Sequence, residues 1–372
     1  MQIGINLISL FPGKIGGMEQ YIRNLLSFSN SIANDNEWYL FLNSHNFDTF
    51  EADDTIHKVL SPNLEDLSEW LRQRICLLKL DLWFCPLMKL IPQDVPIPSV
   101  INIPDIQHEF FPQFFKPDVL RWRQENYKSS ANCCQAVLTL SEYSKNSIIQ
   151  KYRLPEHKVH AIHLDSSVTF PQYFSEEVNR TVREKYRLAD DYGFYPANTW
   201  YHKNHLNLLK ALVVLRQKYD LVIQMVLTGS SQEAHESVMQ YIENNHLDNQ
   251  VKWVDYVPQE EMPYLYRNAG FLCFPSLFEG FGIPLVEAMR SHIPIVCSNT
   301  GSIPEVVGIA SLMFDPNIPE DIAEKMAAIQ CPEIRRDLIA KGVAQAKQFS
   351  WEKCARQTWE VFLSVAKPDQ QS

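Results

Sequence analysis

The sequence lacks an excess of positive charge: 34 Lys+Arg stand against 44 Asp+Glu, for a net charge of −10. That balance argues against a nucleic-acid protein held by a general basic field. It also lacks any CxxC spacing. Its cysteines (Cys76, Cys85, Cys133, Cys134, Cys273, Cys297, Cys331 and Cys354) mostly sit in apolar segments and read as reduced core residues of a cytoplasmic protein. No stretch approaches the ~18 apolar residues that a membrane span needs, and the apolar start, Met1 to Leu10, is short and has no basic leader. A soluble or peripheral protein is expected. Short-period repeats, low-complexity tracts and coiled-coil heptads are absent too.

What is present is enough apolar sequence for about two domains, with 45% hydrophobic residues in a chain of 372. "QIGINLIS" (2 to 9) alternates Ile3, Ile5 and Leu7 with smaller or polar residues and runs into a turn rich in Gly and Pro, which predicts a first strand. Met18, Tyr21, Ile22, Leu25 and Leu26 then fall on one helical face. "EWYLFLNS", "LDLWFCP", "PSVINIP" and "QAVLTLS" repeat the short apolar run with helical or polar segments between, the pattern of a parallel sheet covered on both faces. The chain turns polar from "VHAIHL" to about Tyr186, where the boundary between domains is expected. A second series begins with "YGFYPAN" and continues through "LVIQMVLTGS", "VKWVDYV", "GFLCFPS", "IPIVCSN" and "SLMFDP". The fold class is therefore α/β, two doubly wound Rossmann-like domains, with ligands expected at the carboxyl ends of the strands.

The stretch "FPSLFEGFGIPLVEAM" (274 to 289) follows one of those strands. Pro284 suits the first turn of a helix, where its missing N–H would be unpaired anyway, and the free amides there suit a phosphate. Gly280 and Gly282 let backbone approach a ligand. Glu279 lies in the loop and Glu287 about one turn inside the helix, and two acceptor-only carboxylates are natural partners for sugar hydroxyls. The plainer alternative makes Glu279 part of a capping box with Ser276.

In "YPANTWYHKNH" (195 to 205), Lys203 opens a helix. A lysine there is poorly placed against the helix dipole but well placed to neutralise a departing phosphate. Other histidines read blandly. His157, His160 and His163 alternate between strand faces, which does not suit a shared metal, and His202 and His205 have no carboxylate at a familiar spacing. "LSEWLRQRICLLKL" reads as a half-buried helix, with a membrane-surface contact as the alternative.

"PSLFEGFGIPLVEAM" resembles the E-x7-E signature of retaining glycosyltransferases with the two-lobed GT-B fold, specifically family 4 of the group 1 transferases. "IPIVCSNTGSIPEVVG" and "LMFDP" follow in that family's order, and the resemblance is strongest from 192 to 315. It implies an acceptor-binding domain over 1–175, a nucleotide-sugar domain over 176–349 facing it across a cleft, and a final helix (about 350–372) packing back on the first domain. By resemblance Glu279 lies against the donor sugar and Glu287 binds the nucleotide ribose. Amides of Gly280, Phe281 and Gly282 hold sugar hydroxyls, those near Ile283 and Leu285 meet the diphosphate, and Lys203 with the helix end at Pro284 stabilises it as it leaves.

Asn198 stands in the donor site where the family commonly has an arginine, which weakens a two-cation clamp with Lys203. "GKIGGMEQY" resembles the family's N-terminal glycine loop, with Gly16 and Gly17 near diphosphate or acceptor. "NIPDIQHEFFPQFF" (102 to 115) resembles the acceptor-side loop; Pro104 replaces the usual histidine before Asp105, and His108 becomes the candidate sugar or acceptor contact. The form "YPA...W.HKNH" resembles a subgroup rich in bacterial polysaccharide mannosyltransferases.

The resemblance thus implies metal-independent transfer from a nucleotide sugar, GDP-mannose for preference, to a glycan or lipid-linked glycan, with a peripheral contact to the inner membrane surface. A UDP-sugar transferase, a nucleotide-sugar epimerase and an inactive sugar-nucleotide-binding scaffold are the alternatives. A dehydrogenase is disfavoured because no GxGxxG follows the first strand.

Overall fold

A computed structural model describes residues 1–12, 17–32, 36–171 and 173–366. The chain divides into two units: Met1–Leu164 joined by the segment from Ser350 onward, and Asp165–Phe349.

The first unit is built on seven parallel strands, β1 (Gln2–Asn6), β2 (Glu37–Leu42), β3 (Ile56–Leu60), β4 (Leu82–Cys85), β5 (Ser99–Asn102), β6 (Ala136–Thr139) and β7 (Val159–Ala161). Their order is β3-β2-β1-β4-β5-β6-β7. β4, β5 and β6 are buried at every position, as strands covered on both faces must be. Trp83 meets the edge of Phe41 at 4.8 Å between ring centroids, one contact of a core that also takes in Leu71, Ile75, Ile101, Val137 and Ile148.

The last helix, Trp351–Ala366, belongs to this unit. Thr358 shares a 3.0 Å hydrogen bond with Tyr21, whose helix is Gly17–Ile32, while Phe362 packs on Phe84 at 5.1 Å and Trp359 on Trp38 at 6.2 Å. The helix Ser68–Leu77 buries Leu71 and Ile75 and exposes Leu77 and Cys76, and its Arg72 is paired with Glu69 and Asp94. It is a half-buried helix. Among the described residues no helix is long and apolar enough to cross a membrane.

The second unit has six parallel strands, β8 (Tyr192–Pro196), β9 (Met225–Thr228), β10 (Val251–Trp253), β11 (Ala269–Phe274), β12 (Ile295–Ser298) and β13 (Ser311–Phe314), in the order β10-β9-β8-β11-β12-β13. The strand order reverses between β8 and β11. Crevices open beside such a switch point, so the loops leaving those two strands are the natural ligand site.

The boundary differs from the sequence expectation. It lies at Leu164/Asp165 rather than 175/176. The polar stretch after Leu164 has no core periodicity, yet its isolated aromatics are anchored in the second unit: Phe170 on Tyr266 at 6.0 Å and Phe174 on Tyr264 at 5.3 Å. The cysteines also depart in part from the expected core placement. Cys85, Cys134, Cys273, Cys297 and Cys354 are buried, whereas Cys76 and Cys133 are exposed.

Phe362 is fully buried against Phe84. Phe362→Ala is expected to destabilise the first unit by about 3–5 kcal/mol through lost transfer energy and the cavity left behind, with little effect on the second unit. Urea unfolding followed by separate probes in the two units checks this.

Candidate active site

Two loops meet at the switch point of the second unit. Tyr195, buried near the end of β8, donates to the Lys203 carbonyl at 2.8 Å and shares a 3.0 Å hydrogen bond with the Ser276 hydroxyl beyond β11. Leu277 N–H donates to the His202 carbonyl at 2.8 Å. Asn204 turns the chain with a left-handed φ of 60° and donates from its amide to the carbonyls of Pro275 (3.0 Å) and Pro316 (2.8 Å). These bonds stitch the β8 loop to the β11 loop and set Lys203 beside Glu279. Lys203 Nζ lies 2.6 Å from Glu279 Oε1, with side-chain exposures of 19% and 11%. The helix after β11 begins at Ile283 with Gly282 at its cap, so Ser276 and Glu279 form no capping box, and Glu279 is a charge partner of Lys203.

Gly282 precedes the helix Ile283–Arg290 with φ 102°, a backbone that strains any side chain, and a Cβ there would come within 2.9 Å of Leu285. Pro284 sits in the first turn, where no intrahelical acceptor exists for an N–H. The loop carbonyls are tied down from β12's far end: the buried Ser302 hydroxyl reaches Glu279 O at 2.9 Å and Phe281 O at 3.1 Å, and Thr300 donates to Leu277 O at 3.1 Å. Phe281 points into the protein and packs on Phe349 at 5.6 Å, so from this residue only backbone can serve a ligand. The side chain of Leu285 is likewise fully buried.

Glu287 is 3% exposed. Its Oε1 accepts from the Ser167 hydroxyl (2.6 Å) and Val168 N–H (3.2 Å), and its Oε2 from the Tyr266 hydroxyl (2.6 Å). Burial pushes its carboxyl above the usual range, against the pull of these donors. One turn on, Arg290 clasps both oxygens of Asp165 at 2.8 Å and donates to the Phe349 carbonyl at 3.0 Å. Tyr195, Ser302, Ser167, Tyr266, Asp165 and Arg290 all escaped the sequence reading. Each acts on a residue 20 or more positions away, which periodicity does not register.

Asn198 is exposed, and its side-chain oxygen accepts from Ser230 N–H at 2.7 Å, next to Gly229 at φ 128°. His108 requires correction. It is 0% exposed in the first unit, with Tyr127 at 5.0 Å and Phe115 at 6.4 Å between ring centroids and the Tyr152 hydroxyl 3.4 Å from Nε2. A side chain with no surface touches no acceptor, and it lies in this structure as a packed core histidine. Gly17 begins the helix Gly17–Ile32, and Gly16 lies outside the described residues. His205 is buried against Tyr195 at 4.9 Å. Among the described residues no three His, Cys, Asp or Glu side chains gather where they could hold a metal ion.

The family model for glycosyl transferases group 1 matches residues 181–345, which include both loops. The O-antigen chain mannosyltransferase B of Escherichia coli is 34% identical over 263 residues, covering 70% of this chain and 68% of that protein. The O-antigen chain mannosyltransferase RfbU of Salmonella typhimurium is 30% identical over 243 residues, 65% of this chain and 63% of that protein. Among solved structures, the sucrose-phosphate synthase of Thermosynechococcus elongatus superposes with a TM-score of 0.78 at 15% identity, covering 99% of this chain and 100% of that one.

Burial, and then the nearby Arg123 charge, lower the His108 pKa from 6.5 to about 4. The unfolded chain protonates this ring near its ordinary value, so the stability contributed by the neutral imidazole is full above about pH 6.5 and is lost as the pH falls toward 4. Between pH 7 and pH 5 that loss is roughly 2 kcal/mol. His108→Leu is expected to lose that much less than the parent over the same interval, measured by chemical denaturation at the two pH values.

Proposed function

The chain belongs to the glycosyl transferases group 1 family, and on that premise we propose that it is a retaining, family 4 mannosyltransferase, moving mannose from GDP-mannose to a hydroxyl of a growing, lipid-linked bacterial polysaccharide. The observation that carries this reading is the Lys203–Glu279 pair at the switch point of the second unit, beside the first turn of the helix Ile283–Arg290. The mannose and the polysaccharide are supported by what the relatives' names describe.

On this reading the second unit binds the donor and the first the acceptor. The diphosphate lies at the first turn of the helix Ile283–Arg290, around Ile283, Pro284 and Leu285, where the positive end of the helix dipole favours an anion. Backbone of Gly280, Phe281 and Gly282 takes sugar hydroxyls, Glu279 orients the sugar, and Glu287 takes the ribose. Transfer breaks the bond between the anomeric carbon and the β-phosphate oxygen and forms a bond from the acceptor oxygen to the same face of that carbon. The acceptor's proton passes to the departing phosphate oxygen. Lys203 neutralises the charge that grows there, without a metal ion. Asn198 flanks the donor, and its neutrality leaves Lys203 as the cation of this cluster. The protein works on the cytoplasmic side of a membrane that carries its acceptor.

Calorimetric titration with GDP-mannose, GDP, UDP-glucose and UDP tests the donor. GDP compounds are expected to bind selectively, with Glu287→Ala weakening them about tenfold or more; tighter binding of UDP compounds overturns the mannose donor, and no nucleotide binding overturns the enzyme reading of this site. Glu279→Ala is expected to keep donor binding while turnover falls by about a hundredfold or more, and a chelator is expected to leave turnover unchanged.

A further inference from the structure

The strand order of the first unit also reverses, between β1 and β4, so that sheet has a switch point of its own. The chain leaving β4 lies over it. Met88 N–H donates at 3.1 Å to the carbonyl of Asn102, the last residue of β5, and the side-chain amide of Asn6, the last residue of β1, reaches Ile91 O at 3.4 Å. Between this chain, the start of the helix Ser68–Leu77 and the helix Pro117–Cys133 is an open cavity of about 420 Å³, within the roughly 300–1,000 Å³ of small-molecule sites.

Leu67, Leu90 and Pro92 give the cavity apolar surface, and its polar residues carry both signs. Glu65, Asp66 and Asp94 outnumber Lys89, which disfavours an anionic ligand. The start of the helix Ser68–Leu77 does not reverse this, since Asp66 already accepts from Ser68 N–H at 2.8 Å. What remains is a mixture of donors and acceptors. Lys89 Nζ makes no hydrogen bond or ion pair among the described residues, Asn126 spends its amide on Trp122 O at 2.7 Å and keeps its side-chain oxygen, and Asp94 is held by Arg72 at 2.6 and 2.9 Å. One turn before Asn126 on the same helix face, Trp122 is 41% exposed. Donors and acceptors beside an exposed indole match a neutral hexose, whose hydroxyl edge needs both kinds of partner and whose C–H face packs on an aromatic ring.

We propose that this cavity, with Trp122 one turn beyond Asn126, is a subsite for the sugar chain of the acceptor. This rests on the reading of the first unit as the acceptor domain. Lys89 donates to a sugar oxygen, Asn126 and Asp94 accept from hydroxyls, and the indole covers the apolar face of a neighbouring unit. The ligand is a neutral glycan, not a phosphate and not a lipid surface.

NMR of the full chain labelled at tryptophan nitrogen reads the site, the Trp122 indole signal being the one that Trp122→Phe removes. Titration with linear α-linked manno-oligosaccharides of one to five units, without nucleotide, is expected to shift that signal saturably. Asn126→Leu and Lys89→Met are expected to weaken binding about fivefold or more, as for loss of one hydrogen bond, and to raise the KM of a four-unit acceptor in transfer by a similar factor. Gln124→Leu is the control: it is exposed on the opposite face of the same helix and should change neither. No shift with any of these sugars, or a shift only with phosphatidylglycerol vesicles, overturns the glycan site. Binding that Asn126→Leu and Lys89→Met leave intact, or that Gln124→Leu weakens as much, overturns its location in the cavity. Weaker binding with an unchanged KM overturns the link to the acceptor. Because no nucleotide is present in the titration, failure of the donor reading leaves its outcome untouched.

Discussion

The second unit has to keep two carboxylates out of water within eight residues of one another. A buried charge without partners costs several kcal/mol, and the surroundings of β11 are shaped by that demand. Glu279 is balanced by Lys203. Glu287 is balanced by neutral donors from the Ser167–Val168 turn and from Tyr266. Supplying these partners requires the β8 loop, the turn after Leu164 and the helix Met262–Asn268 to converge on one short helix. Tyr195, Ser302 and Arg290 then hold those pieces in register.

The convergence is a consequence of strand order. Lys203 and Glu279 are far apart in sequence, but β8 and β11 are adjacent and parallel, with Tyr192 paired to Ala269 and Phe194 to Leu272. Their carboxyl ends therefore open on the same side of the sheet. Because the crossovers on either side of that pair run in opposite directions along the sheet, no connection covers the crevice between them. A parallel sheet of this order creates the location, and Gly282 with Pro284 creates the helix start that faces it.

Much of this was legible from the sequence because it depends on local rules. Apolar runs such as "GFLCFPS" and "IPIVCSN" became β11 and β12 since a strand buried on both faces needs little else, and the E-x7-E spacing placed Glu279 in a loop and Glu287 inside a helix. The failures share a cause. Residues 165–174 were read as part of a linker because single aromatics in a polar stretch carry no periodicity, yet Phe170 and Phe174 find partners on a helix near residue 265. His108 was the candidate sugar or acceptor contact from its place in a loop resembling the acceptor side, whereas Tyr127 and Tyr152 from two helices enclose it. Local pattern states what an element is; it does not state what arrives from elsewhere to cover it.

The contrast between the two glutamates follows from the nature of their partners. Lys203 is a mobile cation on a flexible stem, and the proposed diphosphate competes for the same ammonium. On the proposed reading, an anion that takes up Lys203 frees a carboxylate oxygen of Glu279 where the sugar is to be held, which links filling of the phosphate position to readiness of the sugar position. Glu287 has no such exchangeable partner. Its donors are a packed tyrosine and a turn anchored by Arg290 and Gln259, and a neutral donor gains nothing by following an anion. The first carboxylate is suited to a group whose charge changes during reaction, and the second to one that must be recognised without changing.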